Sequence, residues 1–175
     1  MTGGAGLPLY HVGETPGIAR FEPRPSAYTP MPVVWAIAPG KLRNYLLPRD
    51  CPRVTFFAAP DSHPDDVARF MPEGRPVVAI EAGWLDRVET AQLYIYRFST
   101  DGFVSHDHNA GYFVSAAAVT PLGMAVQRDL PGALAAAGAE LRVLPGLWAL
   151  HDAVKASSLG FSMLRMRNAA PREVA

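Results

Sequence analysis

Between Gly13 and Pro32 the chain meets proline at positions 16, 23, 25, 30 and 32, and neither a helix nor an interior strand runs through such a stretch. Each ring fixes φ and removes a backbone donor, so rigid turns replace regular structure there. The rest of the chain follows suit, as short apolar runs separated by proline and glycine. Pro8–Val12 reads as a first strand and Val33–Ile37 as a second. Pro39 suits the first position of a short helix with Leu42, Tyr45 and Leu46 on one face, and Pro48 ends it.

Further along, Arg53–Ala58 alternates as a third strand, with Asp61 or Ser62 capping a short helix that reaches Met71. Val77–Glu81 is a strand, Trp84–Val88 a turn of helix, and Leu93–Phe98 has the aromatic and β-branched content of another strand. The polar stretch Ser99–Ala110 reads as a loop. Tyr112–Ser115 and Val119–Val126 read as strands, and Asp129 caps a helix that Gly138 ends. Glu140–Leu144 returns as a strand and Trp148–Lys155 is a helix. Leu159, Met163 and Met166 recur at helical spacing, which predicts a serine-capped amphipathic helix at the end. Most strands precede most helices. That order predicts an α+β fold of mixed, largely antiparallel sheets with a few peripheral helices.

A chain of 175 residues is long enough to bury one sizeable core, and a single domain over 1–175 is expected, with 1–6 and 169–175 flexible. Lysine plus arginine and aspartate plus glutamate both total 16, so no global basic field exists to hold nucleic acid, and any such contact would be local. Lys41 and Lys155 are the two lysines; arginine supplies the rest, which favours planar recognition of carboxylate or phosphate. Cys51 is the one cysteine. It excludes an internal disulfide and a cysteine-based zinc cluster and reads as a small buried hydrophobe. No signal peptide and no apolar run of about 20 residues is present, so no membrane contact is expected and the location is read as cytoplasmic.

The sequence has no phosphate-loop Gly-Lys-Ser/Thr, no Gly-x-Ser-x-Gly, no His-Glu-x-x-His and no dinucleotide fingerprint. Candidate chemistry is instead dispersed. Period-two alternation sends Tyr10 and His11 to opposite faces of the first strand, so one of them lines a surface or a cleft. Trp35 is either a core indole or a wall on which a flat ligand stacks. In Leu47-Pro48-Arg49-Asp50-Cys51-Pro52-Arg53 two prolines stiffen a loop that presents Arg49 and Arg53, a suitable anion grip unless the guanidiniums pair with Asp50. His106-Asp107-His108 would need a third ligand from elsewhere to hold a metal; a solvated loop is favoured and no metal is expected. Asp107 and Tyr112 are the preferred polar groups of that region. Arg165, three residues after Ser162 on the expected helix, offers a second anion-binding wall.

Taken together, Leu9-Tyr10-His11-Val12, Phe21-Glu22-Pro23-Arg24, Val34-Trp35-Ala36-Ile37, the Leu47–Arg53 loop, Gly111-Tyr112-Phe113-Val114-Ser115 and Arg165-Met166-Arg167-Asn168-Ala169 resemble a bacterial family of uncharacterised domains. More distantly, the order of parts resembles the ADP-ribosyltransferase superfamily, which includes the RNA 2′-phosphotransferases. That resemblance implies a split-sheet fold, NAD as cofactor and an NAD-dependent ADP-ribosyl (glycosyl) transferase. It implies that His11 holds the nicotinamide ribose, that Trp35 stands near the stacking aromatic position, and that Asp107, or more remotely Glu81, supplies the acid.

The expected function is therefore an ADP-ribosyltransferase-like protein that binds NAD or a related phosphorylated nucleotide and transfers ADP-ribose or a phosphate group. Its cleft would be lined by His11, Trp35, Arg49 and Tyr112. Catalysis would fall to His11, Asp107 and Tyr112, and cofactor binding to Trp35, Arg49, Arg53 and Arg165. The alternative is a noncatalytic small-ligand-binding or protein-interaction module in which the aromatics are core and the arginines a partner surface.

Overall fold

The computed structural model describes residues 6–172, and the expectations of flexibility at 1–5 and 173–175 lie outside the described residues. Among the described residues, ten strands and four α-helices follow in chain order, joined by short 3-10 turns. They are β1 (Leu9–Gly13), β2 (Val34–Ile37), β3 (Arg53–Phe57), α1 (Pro64–Phe70), β4 (Val77–Glu81), α2 (Leu85–Thr90) and β5 (Leu93–Phe98). After these come β6 (Val104–Asp107), β7 (Tyr112–Ser115), β8 (Gly123–Gln127), α3 (Leu130–Ala136), β9 (Glu140–Leu144), α4 (Trp148–Lys155) and β10 (Gly160–Leu164). The fold is α+β with two largely antiparallel sheets, as the element order predicted. Among the described residues, no helix is long and apolar enough to cross a membrane.

Two compact units divide the chain, and each draws on two separate stretches of it. The first takes the chain up to Tyr45 and Gln92–Gln127; the second takes Leu46–Ala91 and the chain from Arg128 onward.

In the first unit six strands are ordered β6-β7-β2-β1-β5-β8, every neighbour antiparallel. Alternation puts Leu9, Val34, Ala36, Tyr96 and Phe98 on one face, where they pack with Phe21 as a core. Phe21 comes from the proline-rich connection, its ring edge-on to Tyr96 at 4.9 Å and Phe98 at 5.1 Å. That connection has no regular structure, as expected, yet it is pinned: the Tyr96 hydroxyl donates to the Thr15 carbonyl (2.6 Å) and accepts from the Ile18 amide (3.1 Å). Phe21 and Val119 also exchange backbone hydrogen bonds. This last pair corrects the expected strand Val119–Val126. Pro121 removes a donor in its middle, so β8 begins at Gly123.

The second unit orders its strands β10-β3-β4-β9, with β4 and β9 parallel and the other pairs antiparallel. All five residues of β4 are buried, which is what a continuous apolar run bounded by turns requires of a central strand. Val54, Phe56, Val77 and Ala79 meet Phe70, Met71, Leu147, Val154 and Leu159 in one core. Each large side chain closed off there contributes about 1.5–3 kcal/mol.

Helix α1 is capped at His63, one residue beyond Ser62 and two beyond Asp61. The His63 side chain accepts from the Asp65 amide, while Ser62 accepts from the Ala59 amide and donates to the Ser158 carbonyl. A larger correction concerns the end of the chain, where the expected amphipathic helix is the strand β10, paired with β3 from Gly160 opposite Phe57 to Leu164 opposite Arg53. Gly160 makes that pairing fit, because a Cβ there would stand 2.5 Å from the Phe57 ring. In a strand, Ser162 and Arg165 no longer share a helical face, so the expected anion wall from that pairing is lost. Residues 169–172, expected to fray, are tied down. The Ala170 amide donates to the Glu81 carboxylate, Trp148 Nε1 donates to the Ala170 carbonyl, and Arg172 makes two bonds to Asp152 while lying over the Trp148 ring.

Candidate functional site

Strand β6 occupies the stretch read as a loop. Its sequence, Val-Ser-His-Asp, lacks an apolar alternation because every residue in it is exposed at the edge of the sheet. Only the pairing with β7 reveals it. Val104 stands opposite Val114 and Ser105 opposite Phe113, after which the register slips so that Asp107 faces Tyr112. His106 is the extra residue of a β-bulge. Two residues opposing one re-aim their side chains, and bulges of this kind accumulate beside binding sites.

The consequence is a local gathering around Trp35. The β2–β7 register sets Trp35 opposite Val114 and Ile37 opposite Tyr112, so Trp35 and Tyr112 share the face away from the core. The Trp35 ring meets His106 edge-on at 5.1 Å and Tyr112 edge-on at 5.7 Å. Tyr112 in turn receives a 2.5 Å hydrogen bond from the hydroxyl of Tyr45, which ends the 3-10 turn Pro39–Tyr45. The half-buried indole thus has polar, ring-bearing neighbours on an open face. Such a platform accepts a flat ring by stacking and offers it phenol and imidazole hydrogen-bonding groups.

A cation and a carboxylate flank the aromatics. The Lys41 stem runs against Gly111, where a Cβ would come within 2.7 Å of its Cγ, and Gly111 at φ +69° is also in the left-handed region. Glycine is required there twice over. Burial lowers the Lys41 pKa, the neighbouring Arg43 lowers it further, and Asp107 opposes both. Asp107 itself accepts from the Ala110 amide at 2.9 Å, which closes the turn between β6 and β7 and fixes the carboxylate.

His11 belongs to this unit but its ring does not sit with the Trp35 ring. Leu9, His11 and Gly13 share the parity that faces the core, and the imidazole lies 4.9 Å from Phe21, whereas Tyr10 faces the Trp35 side with Ile37. The link to Trp35 is through the backbone: His11 Nδ1 is 3.1 Å from the Trp35 carbonyl oxygen. A carbonyl only accepts, so Nδ1 carries the proton and Nε2 bears the lone pair in the neutral ring. The bond falls where β1 and β2, which meet at the single pair Tyr10 and Ile37, separate. An imidazole here replaces a rung of the ladder.

The arginines fall in the second unit. Arg53 is 3% exposed, and its guanidinium donates to the carbonyls of Cys51 (2.9 Å) and Pro48 (2.6 Å), with Arg49 at 3.4 Å. It holds the Leu47–Pro52 loop from within instead of projecting to solvent. Arg49 is exposed, and its carbonyl also accepts from Arg165 Nε at 3.2 Å, while Asn168 donates to the Asp50 carbonyl at 2.8 Å. Arg49, Arg53 and Arg165 are therefore gathered around one loop, although 116 positions separate Arg49 from Arg165. Cys51, within the same loop, is fully buried. Desolvation pushes its thiol up to about 11, which removes the thiolate a nucleophile needs.

Sequence reasoning thus grouped seven residues that the fold distributes as His11, Trp35, Asp107 and Tyr112 in one unit and Arg49, Arg53 and Arg165 in the other. It missed Tyr45, Lys41 and His106. Of these only His106 carried a signal, its place beside Asp107, while Tyr45 reaches Tyr112 across 67 positions. Among the described residues no three His, Cys, Asp or Glu side chains gather closely enough to share a metal ion.

Fold and site together define an α+β protein of two largely antiparallel sheets with an open aromatic face beside a carboxylate. The chain belongs to a family of unknown function, DUF6886, whose family model matches residues 10–169 and so spans all the candidate residues in both units. Neither the curated proteins nor the solved structures gave a match.

Proposed function

We propose that the aromatic face of the first unit binds the flat base of NAD or a related phosphorylated nucleotide, as part of an ADP-ribosyltransferase-like protein. The observation that carries this reading is the bulge in β6, which sets an imidazole and a carboxylate beside the Trp35 and Tyr112 rings. Transfer of ADP-ribose passes through a cationic sugar-like transition state, and a fixed carboxylate such as Asp107 stabilises that charge. Lys41 and Arg43, on the turn that ends in Tyr45, are the cations of the same unit suited to a phosphate. The His11 bond to the Trp35 carbonyl holds β2, and with it the indole, in place. A cytoplasmic location is part of the same proposal and accords with a single buried thiol.

Calorimetry with NAD, ADP-ribose and an RNA 2′-phosphate end tests the reading. One of these is expected to bind, Trp35→Ala to weaken it by tenfold or more, and Asp107→Asn to retain binding while losing turnover. No binding by the wild type, or equal binding by wild type and a Trp35→Ala, Tyr112→Ala double variant, sinks it.

A second reading, a noncatalytic ligand-binding module, is favoured by one observation: the His11 ring packs on Phe21, on the core side of the sheet. In that case the nucleotide binds and is recovered unchanged after long incubation.

A further inference from the structure

The two edges of the six-stranded sheet are built differently. Edge strand β6 ends in a bulge and in Asp107, features that turn away a further strand. At the opposite edge β8, Gly-Met-Ala-Val-Gln, has regular register with β5 over all five residues, and carries neither a charge nor a proline. Its side chains are exposed nonetheless. Met124 and Val126 stand opposite Tyr96 and Tyr94, on the core face, and remain 42% and 43% exposed; Leu122, just before the strand, is 60% exposed. An uncharged, unbulged edge with a row of open apolar side chains is a template for another strand.

We infer that β8 pairs with β8 of a second copy of this chain, antiparallel and centred on Ala125. A copy of the same strand suits this edge as the partner. A two-fold axis at Ala125 puts Met124 of each protomer opposite Val126 of the other, both on the core face, so the apolar surface of each sheet continues into its neighbour. No like charges meet, since the five positions carry none and the chain as a whole is formally neutral. The result is one continuous twelve-stranded sheet, twice the six strands of each copy. A five-residue pairing covers less than the roughly 800 Å² per partner of a standard interface, so the dimer is weak and concentration-dependent.

Sedimentation equilibrium on the full chain, from about 1 to several hundred μM, tests this. The expected result is a monomer–dimer equilibrium in which Val126→Lys or Ala125→Pro lowers the dimer association constant by tenfold or more. Phe161→Lys, which removes an exposed apolar side chain from the second unit, leaves it unchanged. Circular dichroism and melting of each variant separate a lost interface from a lost fold, and Val126→Lys, at an open position, is the variant expected to keep its melting temperature. A chain that stays monomeric throughout overturns the inference. So does a dimer of undiminished strength in both a folded Val126→Lys and a folded Ala125→Pro variant.

Discussion

The two units treat their polar residues in opposite ways. In the second, the Leu47–Arg53 loop, the most ligand-like string in the sequence, has its most buried guanidinium engaged with carbonyls of its own backbone. In the first, the stretch Val104–Asp107, polar enough to pass for a solvated loop, is an edge strand that displays its imidazole and carboxylate. Residue type alone does not separate the two. What separates them is whether the fold offers the group an internal partner, because a buried cation without acceptors is costly whereas an exposed one is not.

The largest expected effect follows from Arg53. Arg53→Ala leaves carbonyls of a buried loop without their donor, at about 1–3 kcal/mol each, so a loss of roughly 3 kcal/mol or more is expected. At about 2–4 °C per kcal/mol for a chain of this size, the melting temperature falls by some 6–12 °C. Arg49→Ala changes it by a degree or two at most. A stable Arg53→Ala protein that has lost nucleotide binding would reverse the contrast, and make this loop the displayed site.

A smaller effect is expected in the first unit from Gly111→Ala. Its φ of +69° and the 2.7 Å approach to Lys41 both oppose a Cβ, at a combined cost on the order of 2 kcal/mol. Denaturant unfolding measures it. Because Gly111 precedes Tyr112, the same variant is expected to weaken ligand binding more than its loss of stability explains.

The smallest effect at neutral pH belongs to Cys51. Burial raises its folded pKa from the ordinary thiol value of about 9 to about 11, so the neutral thiol is favoured by folding. That contribution is complete below pH 9 and is lost as the pH rises through about 11. A disulfide reagent is expected to label the native protein slowly at pH 7–8 and rapidly only after unfolding. Fast native labelling would show that the loop opens, and would place it with the displayed groups.

Much of the fold was legible because short apolar runs bounded by proline and glycine leave few choices. Val77–Glu81, Leu93–Phe98, Tyr112–Ser115, Glu140–Leu144 and Trp148–Lys155 have the expected bounds. Two elements escaped for different reasons. β6 has no apolar side to its alternation, and the segment around β10 has Leu159, Met163 and Met166 at a spacing that suits a helix until β3 supplies a partner. Tertiary pairing decides both. Of the site, Trp35, Asp107 and Tyr112 were legible as residue types beside a strand or a glycine. The Tyr45 hydroxyl and the bulge that enlists His106 were not, since one depends on a contact across the chain and the other on a register slip.

The interleaving of the units has a bearing on how the protein is made. Unit one has all its chain once Gln127 has been synthesised, whereas the four-stranded sheet still lacks β9 and β10 at that moment. The segment from Leu46 to Ala91 has then left the ribosome with the aliphatic residues of β3 and β4 short of two neighbouring strands. Vectorial synthesis therefore leaves β3 and β4 without their outer partners until β9 and β10 have been added. β10, whose antiparallel rungs lie directly on β3, is the last strand of that sheet to be synthesised and completes it.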